Sequence, residues 1–235
     1  MIKVKSAETK PRIAGFNTLN GNYNCSMSIP PDNPEFPRHD PATPAFWDVR
    51  FNADFMPWDQ GAVPQCLADY VERHPAPQQV LIPGCGSAYE ARLLLRANWP
   101  VTAIDFSPAA VAHARKLLGP MGANIREADF FGHELAEERF AVIYERAFLC
   151  ALPIRLRPAW AERVSQLLLP GGHLVGFFYF DKTEKGPPFG IDAETLNSLL
   201  WKDFELIEER DPTDSIAVFA GKEKWQVWQR RQMNT

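Results

Sequence analysis

The sequence predicts a doubly wound α/β fold on a mostly parallel sheet, and three observations carry that reading. Short apolar runs alternate with amphipathic segments from about residue 78 onward. A glycine turn, Gly84-Cys85-Gly86, joins the first such run to the first such helix. Near the C-terminus two apolar segments follow one another with no helix between them, which predicts a closing antiparallel hairpin, because parallel neighbours need a crossover. At 235 residues and 46% hydrophobic content, the chain is long enough to bury one full core.

Residues 1–44 are polar and broken by Pro30, Pro31, Pro34, Pro37, Pro41 and Pro44, so they predict a proline-rich arm ahead of a domain over residues 45–235. Residues 45–75 read as a helical entry segment or lid. Trp47, Phe51 and Phe55 recur every four residues on one helical face until Pro57, Trp58 falls on a turn, and a second helix follows Pro64 through Leu67, Tyr70 and Val71. Then come the strand QQVLIPGCG, the helix AYEARLLLRAN, the strand VTAIDF, the helix PAAVAHARKLL, and the strands ANIREADF and FAVIYERAF. A helix over residues 158–168 precedes a turn at Pro170-Gly171-Gly172, which leads into HLVGFFYF as a fifth strand. KGPPFG reads as a loop and Asp192 as the cap of a helix over residues 193–201. ELIEERD and SIAVFAG read as the last two strands, turned at Pro212-Thr213-Asp214.

Composition excludes several classes of function. A formal charge of −4 supplies no field to gather nucleic acid or an anionic membrane, so the expected partner is a small molecule. The start, MIKVKSAETK, is charged where a secretion signal is apolar, and no run approaches a bilayer span, so the expected location is cytoplasmic. Cys25, Cys66, Cys85 and Cys150 are far apart, and the five histidines form no metal-binding pattern, so neither disulfides nor a metal is expected. Serine-hydrolase and phosphate-loop signatures are missing. Nothing in the sequence sets the oligomeric state; a monomer is the simplest expectation.

Chemistry gathers where strands end. Gly84 and Gly86 let the backbone approach a ligand at a helix N-terminus. Asp105 ends the next strand, about 20 residues on, where a carboxylate reaches ribose hydroxyls, and Ser107 is better placed than Asp105 to cap the helix that follows. Tyr89 occupies the place of the third glycine of a dinucleotide fingerprint, which disfavours a pyrophosphate and with it a nicotinamide cofactor. A sulfonium cofactor has no phosphate to seat there. Asp129 and Phe130 end the third strand and read either as adenine contacts or as a loop carboxylate and a core phenylalanine. Arg146, after the fourth strand, reads as a site residue or as the surface partner of Glu145. Trp47, Phe51 and Trp58 form either a water-excluding lid over a cation or a packed core face. Cys150 reads as a buried packing residue. The segment after the fourth strand lacks the Asp/Asn-Pro-Pro-aromatic run that methylation of a nucleic-acid amine needs.

The segments FWDVRFNADFMPWDQG, VLIPGCGSAYE, AIDFSPAAV, ADFF, IYERAFLCAL, RPAWAERV, LLPGGHL, KGPPF and GKEKW, in that order, resemble the thiopurine S-methyltransferase superfamily, most closely its thiol and halide methyltransferase branch. The resemblance spans about residues 45–230. It implies a Rossmann-like class I methyltransferase with a seven-stranded sheet, using S-adenosylmethionine and leaving S-adenosylhomocysteine. It further implies cofactor contacts from Trp47, Phe51, Trp58, Gly84, Asp105, Asp129, Phe130 and Arg146, beside Gly86 of the glycine turn. Phe51 stands where the family usually has Trp, and Arg146 where the plant halide branch has Tyr and the thiopurine branch Arg. The expected reaction is in-line transfer to a thiol, hydrosulfide or halide, with Arg146 attracting the anion and Trp58 shaping the methyl path. The rivals are a non-catalytic binder of the same cofactor and a methyltransferase for a different small molecule.

Overall fold

The computed structural model describes residues 35–232; the expected arm, up to residue 34, and residues 233–235 lie outside the described residues. One seven-stranded sheet runs in the order β3-β2-β1-β4-β5-β7-β6. Strands β1 (Val80–Pro83), β2 (Val101–Asp105), β3 (Ile125–Glu127), β4 (Phe140–Arg146) and β5 (Leu168–Tyr179) pair in parallel. The last two, β6 (Phe204–Arg210) and β7 (Glu223–Arg230), are antiparallel, and β7 slots between β5 and β6.

The two-residue period of the strands sorts their side chains into two cores. Val80, Ile82, Val101, Ala103, Val142, Tyr144, Trp225 and Val227 point to one face. There they meet the apolar stripes of α2 (Gln65–Arg73), α3 (Tyr89–Arg96) and α4 (Pro108–Leu118). Leu81, Ile104, Ile143 and Trp228 point to the other face and meet α5 (Arg157–Leu167) and α6 (Ala193–Leu200). Burying a side chain such as Leu94 or Val164 contributes about 2 kcal/mol each against the entropy of ordering the chain.

Helix caps follow the sequence reading. Ser107 Oγ accepts from the Ala110 N–H at 3.1 Å and Asp192 Oδ1 from the Thr195 N–H at 2.7 Å, each cap worth about 1 kcal/mol.

Three expectations are corrected. The first helix, α1 (Pro44–Asn52), ends before Phe55 and well before Pro57. Asp54 adopts a left-handed φ of 50°, and the Phe55 N–H turns back to the Arg50 carbonyl, so Phe55 leaves the helical face shared by Trp47 and Phe51. Pro170-Gly171-Gly172 lies inside β5, not before it: the segment from Leu168 to His173 faces only Phe140 to Val142 on β4, so the extra residues bulge while the strand keeps its direction. SIAVFAG is not a strand. Ile216 and Phe219, three apart, turn inward together through a short 3₁₀ turn at Ala217–Phe219, and the strand role passes to EKWQVWQR, whose Trp225 and Val227 alternate with Gln226 and Trp228. Among the described residues no helix is long and apolar enough to cross a membrane, and no metal-binding cluster is present.

Candidate active site

The site lies at the C-terminal ends of β1, β2 and β4, where an open parallel sheet exposes its carboxyl edge. Gly84 has φ +55° and Gly86 φ +50°. A Cβ on Gly84 would collide with the Phe148 ring, so this turn requires glycine both for its backbone angle and for the space. The Gly86 N–H donates to Asp105 Oδ2 at 3.1 Å and the Ser107 N–H donates to Oδ1 at 3.0 Å. Those bonds lock the carboxylate at the mouth of the glycine turn and leave lone pairs on both oxygens for a ligand. Burial pushes the Asp105 carboxyl up to about 6, against the lowering pull of the Ser107 and Gly86 amides.

The aromatic segment is tied down on both sides of this turn. Asp48 of α1 accepts from Ser107 Oγ at 2.6 Å and from the Ala109 N–H at 3.1 Å. Beyond α1, Asp59 accepts a hydrogen bond from Ser87 Oγ, and its other oxygen accepts from the Gly61 N–H at 2.7 Å. Between those ties Trp58 meets Trp47 edge-on at 5.5 Å and Phe51 at 6.1 Å. Phe51 Cζ would stand 3.7 Å from a Cβ on Gly86. Trp58 also packs with Ala147 against Cys150, Tyr179, Ile216 and Phe219, an apolar cluster apart from the two sheet cores.

Arg146 and Glu145 part company at the end of β4. Successive strand residues face opposite sides, and Ala147, at a left-handed φ of 56°, bends the chain sharply after them. The Glu145 side chain turns back and accepts from the N–H groups of Phe148 at 2.9 Å and Leu149 at 3.0 Å. Burial pushes its carboxyl up to about 7. The Arg146 guanidinium lies 4.0 Å above the Phe177 ring and donates from Nη2 to Gln60 Oε1 at 3.1 Å, while Nη1 is buried with no partner. The two therefore form no surface ion pair, which removes that reading of Arg146. Gln60 in turn donates to the Asp214 carbonyl at 2.7 Å, and Asp214 Oδ2 accepts from the Gln65 N–H at 2.6 Å. The loop between β6 and β7 is thereby stitched to the segment that carries Trp58.

Of the residues singled out from sequence, the structure gathers Trp47, Phe51, Trp58, Gly84, Gly86 and Asp105 around one turn, with Arg146 reaching in from β4. Asp129 and Phe130 make contacts of their own. Asp129 is exposed and accepts from the Phe131 N–H at 2.9 Å, capping its own turn. Phe130 is buried in the second core, edge-on to Phe148 at 5.2 Å, so it supports the ring that backs Gly84. Glu90 and Glu223 were not anticipated. Burial raises both carboxyls while the Arg146 charge opposes the rise. Glu90 accepts from the Tyr144 hydroxyl at 3.5 Å, and Glu223 Oε1 has no partner. A carboxylate two positions into a buried helix start, and one opening an alternating strand, were the signals available.

Sheet order, the antiparallel last strand and the glycine turn facing a carboxylate define a Rossmann-like class I methyltransferase. The 1,6-didemethyltoxoflavin-N1-methyltransferase of Burkholderia thailandensis has this fold, with a TM-score of 0.65 at 16% identity, covering 84% of this chain and 93% of that one. The family described as thiopurine S-methyltransferase matches residues 42–231. A probable thiol methyltransferase 2 of Arabidopsis thaliana is 30% identical over 191 residues, 78% of this chain and 84% of that protein. Thiocyanate methyltransferase 1 of the same plant is 27% identical over 194 residues, with the same shares covered. The chain belongs to the thiopurine S-methyltransferase family, consistent with its thiol methyltransferase branch, and its cofactor is S-adenosylmethionine. The residues present fit that cofactor: an anchored carboxylate faces the glycine turn, aromatic rings suit a sulfonium, and the buried Arg146 Nη1 and Glu223 Oε1 lack partners of their own.

Proposed function

We propose that the chain transfers the methyl group of S-adenosylmethionine to a small soft nucleophile: a thiol, hydrosulfide, a thiopurine-like thiol or a halide. The observation that carries this reading is the environment of Arg146. Its guanidinium stacks on Phe177 and keeps one buried N–H direction unpartnered, and the next residue, Ala147, packs with Trp58 against Cys150, Tyr179, Ile216 and Phe219. A cation in such surroundings favours a weakly hydrated anion. When bound, the cofactor supplies an electrophilic methyl on a sulfonium.

The protein's part is binding, alignment and exclusion of water. Asp105 accepts the ribose hydroxyls, and Gly84 and Gly86 admit the cofactor to the turn. Trp47, Phe51 and Trp58, within a lid over residues 45–75, cover the sulfonium. Asp129 and Phe130 border the adenine side. Arg146 holds the acceptor anion, and Trp58 confines its approach so that reacting atoms meet in line in a dry site, where alignment and desolvation lower the barrier most.

S-adenosylhomocysteine release by the purified protein, across hydrosulfide, alkyl thiols, aromatic thiols and iodide, tests the reading. Turnover on at least one of these acceptors is the expected result. Tight cofactor binding with silence across the panel overturns it in favour of a non-catalytic binder.

A further inference from the structure

We propose that Glu145 is the group that takes the proton from a thiol acceptor, through one water seated in the cavity beside it. The inference rests on the acceptor reading above. Glu145 is 1% exposed. One oxygen, Oε1, is committed to the Phe148 and Leu149 amides; the other, Oε2, is buried with no partner. An orphaned buried carboxylate oxygen is costly to the fold unless something bonds to it. Glu145 lines a cavity of about 10 Å³ together with Cys150, Tyr179, Phe189 and Ile191. That is roughly the room one water needs. Cys150 and Tyr179 belong equally to the cluster that meets Trp58 and Ala147, so the cavity and the acceptor wall share residues.

The charged and titratable groups around the carboxylate are few. Tyr144 lies on its own strand, Cys150 on the turn after it, Tyr179 on β5 and Glu223 on β7, while the Arg157 charge on α5 acts on Cys150. Burial holds the Cys150 thiol protonated, so it does not compete for the proton. Burial also brings Glu145 close to neutrality, the range in which a base is both available and strong enough.

In the step, the thiol S–H bond breaks and its proton passes to the water, which gives one of its own to Glu145 Oε2. The sulfur electron pair forms the new C–S bond. The methyl group's old bond breaks with its pair remaining on the cofactor sulfur, and Glu145 later returns the proton to solvent. An acceptor with no proton, such as iodide, has no use for the base.

The test compares wild type with Glu145→Gln, which keeps the side chain's size and its Oε1 acceptor. Two quantities are read: the ratio of kcat/KM for an alkyl thiol to that for iodide, and the thiolate absorbance of an aromatic thiol bound to the S-adenosylhomocysteine complex below the thiol's own pKa. The expected result is a fall in the ratio of at least about 100-fold, the low edge for a lost general base, with loss of the thiolate band. An unchanged ratio, or equal loss on both acceptors, reduces Glu145 to a structural cap and overturns the proposal. Should neither acceptor turn over in wild type, the acceptor reading fails separately, and the thiolate band decides: present in wild type and lost in the variant supports the base, equal in both refutes it. Should Glu145→Gln not fold, Glu145→Asp keeps a carboxylate one methylene shorter. A thiol-to-iodide ratio and thiolate band weakened in parallel support the base, and wild-type values for both refute it.

Discussion

At the glycine turn the polar groups are matched to one another: the Asp105 oxygens to the Gly86 and Ser107 amides, Asp48 to Ser107 and Ala109, Asp59 to Ser87. At the end of β4 the pattern reverses, for Arg146 Nη1, Glu145 Oε2, Glu223 Oε1 and Asp214 Oδ1 are buried without partners. A cofactor common to a whole family can be met by a prearranged cradle, whose geometry is held by backbone amides and left-handed glycines. The region proposed to take the acceptor instead keeps its hydrogen-bonding capacity in reserve, and an unpaired group in a dry pocket binds what completes it. The contrast makes the two ends separable by mutation.

The largest effect is expected from Gly84→Val. It forces a branched side chain onto a left-handed φ and into the Phe148 ring, so it should cost about 3 kcal/mol of stability or more and abolish S-adenosylhomocysteine binding. Thermal melting and calorimetric titration read both. A variant that binds normally would mean that the turn is plastic and the cradle not prearranged.

Next comes the pair Arg146→Ala and Trp58→Ala. Removing the guanidinium should lower kcat/KM for anionic acceptors about 10- to 100-fold, the range of a lost charge-assisted contact, with a smaller loss of cofactor affinity. Removing Trp58 strips one ring from the aromatic group and should weaken the cofactor more than it alters the ranking of acceptors. Equal profiles for the two variants would erase the division between the ends.

The smallest effect is a pH dependence confined to the cradle. Asp105 has its carboxyl raised from 3.8 to about 6, so its contribution to folding is fully present below 3.8 and is lost as pH rises through about 6. In the role proposed for it the ionised form accepts the ribose hydroxyls, so ligand affinity should run the other way and fall as pH drops below about 6. The thermal shift given by S-adenosylhomocysteine should therefore be larger at pH 7.5 than at pH 5.5, and Asp105→Asn should flatten that difference. A ligand shift independent of pH in the wild type would show that Asp105 does not carry the ribose.

Some of this was legible in the chain. The glycine turn, Asp105 at the next strand end, the caps at Ser107 and Asp192, and the alternation of strands and helices all follow from local rules: period, propensity and turn chemistry. Other features escaped those rules. SIAVFAG looks like a strand by composition, yet its apolar residues sit three apart and serve the cluster around Trp58. EKWQVWQR is the real last strand because β5 and β6 offer it two edges to pair with, a benefit that no local window contains. The packing of Phe130 edge-on to Phe148, the ring that backs Gly84, was likewise beyond any local window.

By itself the sequence determined the class of fold, the family and the pairing of the glycine turn with Asp105, since those residues lie within short strand-turn-helix units whose geometry is set by near neighbours. Only the tertiary structure decided that Glu145 and Arg146 face opposite sides of one strand. It alone also brought Glu90 and Glu223 from distant segments toward one guanidinium, and left particular buried atoms without partners. Those outcomes depend on strand pairing and on the burial of charge, which arise when segments far apart in the chain close upon each other.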